Sequence, residues 1–127
     1  MKNNGDVAQE WITKAESDFA AAGLCINGAV ALDTATFHCE QAVEKSLKAW
    51  LIAHDIDPPK THELKELIAL CTSVNSRFGG LVADADALTP YAVKLRYDAK
   101  FWPSIEEARD ALDRARRIYD FVKEHWS

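Results

Sequence analysis

Apolar residues recur every three or four positions along almost the whole chain, and no segment sustains the alternation of a strand. Val7, Trp11, Ala15, Phe19, Ala22 and Ile26 make one such stripe, which predicts a first helix from about Val7 to Ile26. Asp6 with Gln9 three residues later reads as its capping box, and Asn27-Gly28 as its stop. A second helix is expected from about Leu32 to His54. DIDPPK ends it, because Pro58-Pro59 lacks backbone donors and clashes with a preceding helical turn. Thr61 then reads as the N-cap of a third helix through about Val74, with Glu63 in a first turn where the helix dipole favours an acid. Asn75 to Gly80 reads as a turn, Leu81 to Leu88 as a short helix, and Thr89 to Pro103 as an irregular stretch. Ser104 and Glu107 have capping-box spacing and start the last helix, whose apolar face is Ala108, Ala111, Leu112, Ala115, Ile118, Tyr119 and Val122. Amphipathic helices on short links bury their stripes against one another. The expected fold is therefore all-α, an antiparallel four- to five-helix up-and-down bundle, with residues 1–127 as a single domain.

A chain of 127 residues buries enough surface to fold without a metal or a disulfide. Its net charge of −5 argues against a domain that coats nucleic acid non-specifically, since phosphate binding needs a basic surface. One local cationic pocket remains compatible with it. Cys25, Cys39 and Cys71 are odd in number, form no CxxC pair and lie in apolar-periodic segments, so reduced, buried thiols are expected. MKNNGDVAQEW lacks the apolar core of a signal peptide, and no apolar run is long enough to span a bilayer. Together these place the expected site of action in the cytoplasm, away from membranes.

The second helix, FHCEQAVEKSLKAW in part, is mostly apolar, yet Thr34, His38, Gln41, Lys45 and Lys48 fall within one narrow arc. Its apolar sector (Cys39, Ala42, Val43, Ser46, Leu47, Ala49, Trp50) exceeds half the circumference, which marks a central helix with several neighbours. The polar stripe fits a solvated face, a partner-helix interface, or an anion site in which Lys45 and Lys48 supply charge and His38 and Gln41 hydrogen bonds.

The order of motifs resembles that of HEPN domains (higher eukaryotes and prokaryotes nucleotide-binding). FHCEQAVEKSLKA is similar to that family's FH-x-x-QA-x-EK-x-LKA helix, through Phe37, His38, Gln41, Ala42, Glu44, Lys45, Leu47, Lys48 and Ala49. Thr61, His62, Glu63 and Leu64 resemble its T-H-[DE]-L helix start. Trp11, Lys14, Ala15 and Asp18 resemble its first helix, and Arg96, Tyr97, Pro103, Ala108 and Ala111 its Arg-Tyr motif and last helix. The resemblance spans about residues 8 to 125. It implies a small helical homodimer and no cofactor. It also implies a minimal nucleotidyltransferase as partner in a toxin–antitoxin-like pair, and a nucleotide or RNA ligand. A phosphate would then meet Lys45, Lys48 and Arg96, with His38, Gln41 and Tyr97 alongside.

Many members of the wider superfamily are metal-independent ribonucleases with an Arg-x(4–6)-His motif. This chain has no arginine with a histidine at that spacing; Arg117 and His125 come nearest and miss by one residue. The chain therefore reads as a non-catalytic or weakly catalytic binding module. Two alternatives stand beside it: a ribonuclease using His38 or His62 with Arg96, and a purely structural dimerising partner. His54, Asp55, Asp57 and His62 flank the Pro-Pro loop without a standard ligand spacing, so no metal site is expected. Arg96 also suits a structural role, pinning its loop to a carboxylate such as Asp18 or Glu44. Phe101-Trp102-Pro103 reads as an apolar plug over the bundle end, with base stacking as the other use of such rings.

Overall fold

The computed structural model describes all 127 residues. It contains six α-helices and one 3-10 turn, without strands: α1 (Asn4–Gly28), α2 (Leu32–Ala53), α3 (Leu64–Val74), a 3-10 helix (Ser76–Leu81), α4 (Val82–Leu88), α5 (Tyr91–Tyr97) and α6 (Ile105–Glu124). The expected all-α bundle is what forms. α2 is its central post and packs against α1, α3, α4, α5 and α6, as its wide apolar sector requires. Cys39, Ala42, Val43, Ser46, Leu47, Ala49, Trp50 and Leu51 are all buried.

The helix ends differ from expectation in instructive ways. α1 starts earlier, at Asn4, because Asn3 accepts from the Asp6 amide while Asp6 reaches back to Asn3, so the capping box is Asn3/Asp6 and not Asp6/Gln9. Its buried line is Ala8, Ile12, Ala15, Phe19, Ala22 and Ile26. Val7 and Trp11 of the predicted stripe are only half-buried, because Ala8 and Ile12, one residue later, take the inner positions, and each of the two faces a surface hollow. α1 ends at Gly28, but the left-handed residue that turns the chain is Ala29 (φ 50°), followed by Ala31 (φ 47°). Two alanines in that region hold strain, accepted because the three-residue link must return α2 against α1. Thr61 is not the N-cap of α3. Glu63 holds that position, and the Thr61 hydroxyl accepts from the Glu63 amide at 3.0 Å.

The stretch expected to be irregular, Thr89 to Pro103, contains α5. Pro90 presets a helical φ of −60° ahead of it, and Tyr91, Ala92 and Leu95 give it a short inner face against α2. On the outer face of α6, Arg114 pairs along the helix with Asp110, and Arg114 and Arg117 both reach Asp84 of α4, at 3.1 and 2.9 Å. The Arg117 hydrogen bond, helped by Arg114, holds the Asp84 carboxyl below its usual range. At the α6 N-terminus the predicted capping box is present: Ser104 accepts from the Glu107 amide at 3.0 Å. Ser104→Ala is expected to lower unfolding stability by about 1 kcal/mol, read by urea denaturation; an unchanged midpoint would show that the cap contributes nothing.

The bundle end is closed by aromatic rings. Trp50 is fully buried, packs on Phe78 and donates its indole N–H to the His125 carbonyl at 2.8 Å. Cys39 and Cys71 are buried, and burial pushes both thiols up to about 12, which leaves them unreactive. Cys25 is half-buried instead of buried. No helix is long and apolar enough to cross a membrane.

Candidate functional site

The polar stripe of α2 is organised by two buried carboxylates. The first is Asp18, on α1 directly before Phe19 and only 6% exposed. One of its oxygens accepts from His38 Nδ1 at 2.8 Å and the other from Lys45 Nζ at 2.7 Å. A carboxylate oxygen accepts, so His38 carries its hydrogen on Nδ1, and Nε2 is left without a protein partner. The second is Glu44, on α2 itself. It accepts from Gln41 Nε2 at 3.0 Å, His62 Nδ1 at 2.9 Å and Lys48 Nζ at 3.4 Å. His62 comes from the loop before α3, so Glu44 ties that loop to the middle of α2.

Gln41 has a further task. Its amide also donates to Glu40 Oε1 at 2.8 Å, so both amide hydrogens serve buried carboxyls. Gln41 then offers a ligand only its carbonyl oxygen, an acceptor, in place of the donor expected of it. Glu40 is fully buried, and its Oε2 has no hydrogen-bond partner. Burial, with Glu44 one turn away, pushes the Glu40 carboxyl up to about 8, so at neutral pH it is mostly protonated and uncharged.

Arg96 and Tyr97 lie on α5. Arg96 pairs with neither Asp18 nor Glu44. Those carboxylates are taken by the α2 side chains and His62, and the Arg96 guanidinium instead sits over the Phe37 ring, 5.6 Å from its centre. Phe37 in turn meets the His38 ring edge-on at 5.8 Å, so Arg96 stands at the His38 end of the stripe. Tyr97 is 78% exposed. At the other side of Lys45 runs an open groove of about 700 Å³ lined by Glu10, Trp11, Thr13, Lys14 and Lys45. His38, Gln41, Lys45, Lys48 and His62 are thus brought together, with Arg96 at the edge and Tyr97 turned to solvent.

Sequence reasoning missed Glu40 as a site residue. Asp18 and Glu44 entered it only as matched positions and as partners for Arg96. The available signal was their position. Asp18 falls in the buried arc of α1, and Glu40 and Glu44 share the buried face of α2 with Thr36, Leu47 and Leu51. A carboxylate in such an arc needs a partner.

The profile of the HEPN domain matches residues 8–125. The chain belongs to the HEPN family. Among solved structures, this HEPN chain is similar to TT1696 from Thermus thermophilus, with 28% identity and a TM-score of 0.78 over 92% of this chain and 96% of that one. It shares its fold with ST0689, an archaeal HEPN homologue, at 22% identity and a TM-score of 0.76 over all of both chains. No curated protein sequence matches it.

Proposed function

We propose that this HEPN bundle is a nucleotide-binding and assembly module that dimerises and serves a separately encoded minimal nucleotidyltransferase in a toxin–antitoxin-like pair. The observation that carries the binding half is the pair of buried carboxylates, which hold His38, Lys45, Lys48 and His62 in place from inside the bundle. Each lysine spends one of three ammonium hydrogens on its carboxylate and keeps the others for an incoming phosphate. With Lys14 and Arg96, these cations outnumber Asp18 and Glu44, in a chain that is otherwise acidic. The groove beside Lys45 has the volume of a small-ligand site, and Trp11 gives it an apolar wall. His38 then borders the phosphate end, with Arg96 beyond the Phe37 ring.

Titration with ATP, GTP and short RNAs, followed by melting temperature, tests this reading. A specific nucleotide is expected to raise the melting temperature, and Lys45→Ala and Arg96→Ala each to weaken binding about fivefold or more. Variants that bind as the wild type does would remove the site. The assembly half predicts a homodimer by light scattering and co-purification with the nucleotidyltransferase; a monomer that captures none refutes it.

One observation favours a second reading, a metal-independent ribonuclease. Asp18 orients His38 with Nε2 unpartnered, the arrangement of a general base, and Arg96 lies beyond Phe37 as a cation for phosphorane charge. That reading requires RNA cleavage in EDTA that disappears in His38→Ala.

A further inference from the structure

Trp102, expected to help plug the bundle end, is instead 72% exposed and lines neither surface hollow. Trp11 does line one. It is half-buried and walls the groove of about 700 Å³ together with Glu10, Thr13, Lys14 and Lys45. The polar groups of that groove are sorted by hydrogen-bonding type along α1. Lys14 is exposed, and Lys45 is held on Asp18 at 2.7 Å, so the far end offers donors and positive charge. Toward the α1 N-terminus the two polar side chains, Glu10 and Thr13, offer only acceptors. The Thr13 hydroxyl spends its hydrogen on the Gln9 carbonyl at 3.0 Å. The Glu10 carboxylate pairs through Oε1 with the exposed Lys2 ammonium, which offsets its charge and leaves Oε2 and a lone pair of Oε1 for a ligand. Glu10 precedes Asp18 by about 12 Å along the helix axis, the span from the base edge of a nucleotide to its phosphate.

We propose that this groove selects guanine among the bases: the guanine edge donates to Glu10, its ring lies against Trp11, and the phosphate meets Lys14 and Lys45. The proposal rests on the nucleotide reading above and adds the base. Guanine presents N1–H and its 2-amino group side by side, two donors that match the two oxygens of one carboxylate. Adenine and cytosine present an amino group next to a ring-nitrogen lone pair, and uracil a single N–H between two carbonyls. Each of these sets a lone pair against a Glu10 oxygen, and that repulsion discriminates alongside the attraction for guanine. Trp11 can stack on any base and so adds affinity without choice.

Isothermal titration calorimetry with GTP, inosine triphosphate and ATP tests the proposal. GTP is expected to bind about tenfold more tightly than ATP. Inosine triphosphate keeps N1–H but lacks the 2-amino group, and should fall between them. Glu10→Gln replaces one acceptor oxygen by a donor, so its GTP-to-ATP affinity ratio should fall towards one. Glu10 and Lys2 are exposed, so the melting temperature of the free variant should move no more than for an ordinary surface substitution. Equal affinity for GTP and ATP, or a GTP preference that survives in Glu10→Gln, would overturn the proposal. Where both nucleotides bind equally and both weaken in Lys45→Ala, the nucleotide reading stands and only the choice of base fails. Where none of the three binds, the nucleotide reading fails and the choice of base falls with it.

Discussion

Glu40→Gln is expected to stabilise the protein at neutral pH by on the order of 3 kcal/mol, with an effect that vanishes in acid. Glutamine mimics the protonated carboxyl: it keeps an oxygen for the Gln41 amide and cannot ionise. The Glu40 carboxyl titrates near 8 in the fold against an ordinary 4.5, and each unit of difference is worth about 1.4 kcal/mol. For an acid whose folded value is raised, the native state binds more protons than the unfolded chain between those two values. Stability is therefore full below about 4.5 and falls as pH rises toward 8. The variant escapes that loss, so its advantage opens across the same window and is flat above it. Urea denaturation of both proteins at acid, neutral and mildly alkaline pH measures the gap. A gap of the same size at every pH would show that Glu40 is not the titrating group.

Asp18→Ala is expected to lower stability by about 3 kcal/mol, the usual cost of removing one partner from a buried ion pair. The carboxylate is buried, and its loss strands the partly buried Lys45 ammonium and the His38 ring at the α1–α2 contact. Asp18→Asn keeps an acceptor oxygen and should lose less. Adding Lys45→Met to Asp18→Ala should restore part of the loss, because the stranded charge goes with it. Equilibrium denaturation of the set decides this. A change of under about 0.5 kcal/mol in Asp18→Ala, the scale of an ordinary surface substitution, would mean that Asp18 organises nothing.

The parts of this protein legible in its sequence are those set by neighbours along the chain. The Ser104/Glu107 cap, the Pro58-Pro59 break and the wide apolar sector of α2 each depend on residues within a turn or two. The α5 helix is not legible there, because seven residues carry too little periodicity to distinguish a helix from an aromatic loop. The stripe of His38, Gln41, Lys45 and Lys48 is visible in the spacing alone. What it faces is not. Asp18 is 20 residues from His38 and 27 from Lys45, and the two meet it only because the link at Ala29–Ala31 folds α1 back along α2.

The sequence by itself therefore determined the helical class, the central place of α2 and the family, because periodicity and motif order are properties of one dimension. Only the tertiary structure decided that the stripe stands on two buried carboxylates, that Gln41 spends its donors inward, and that Trp102 points to water instead of plugging the core. Each of these follows from which helix a side chain meets. A burial requirement says that a carboxylate such as Asp18 or Glu40 needs a partner or a proton, and the packing of the bundle supplies the first to Asp18 and leaves Glu40 with the second.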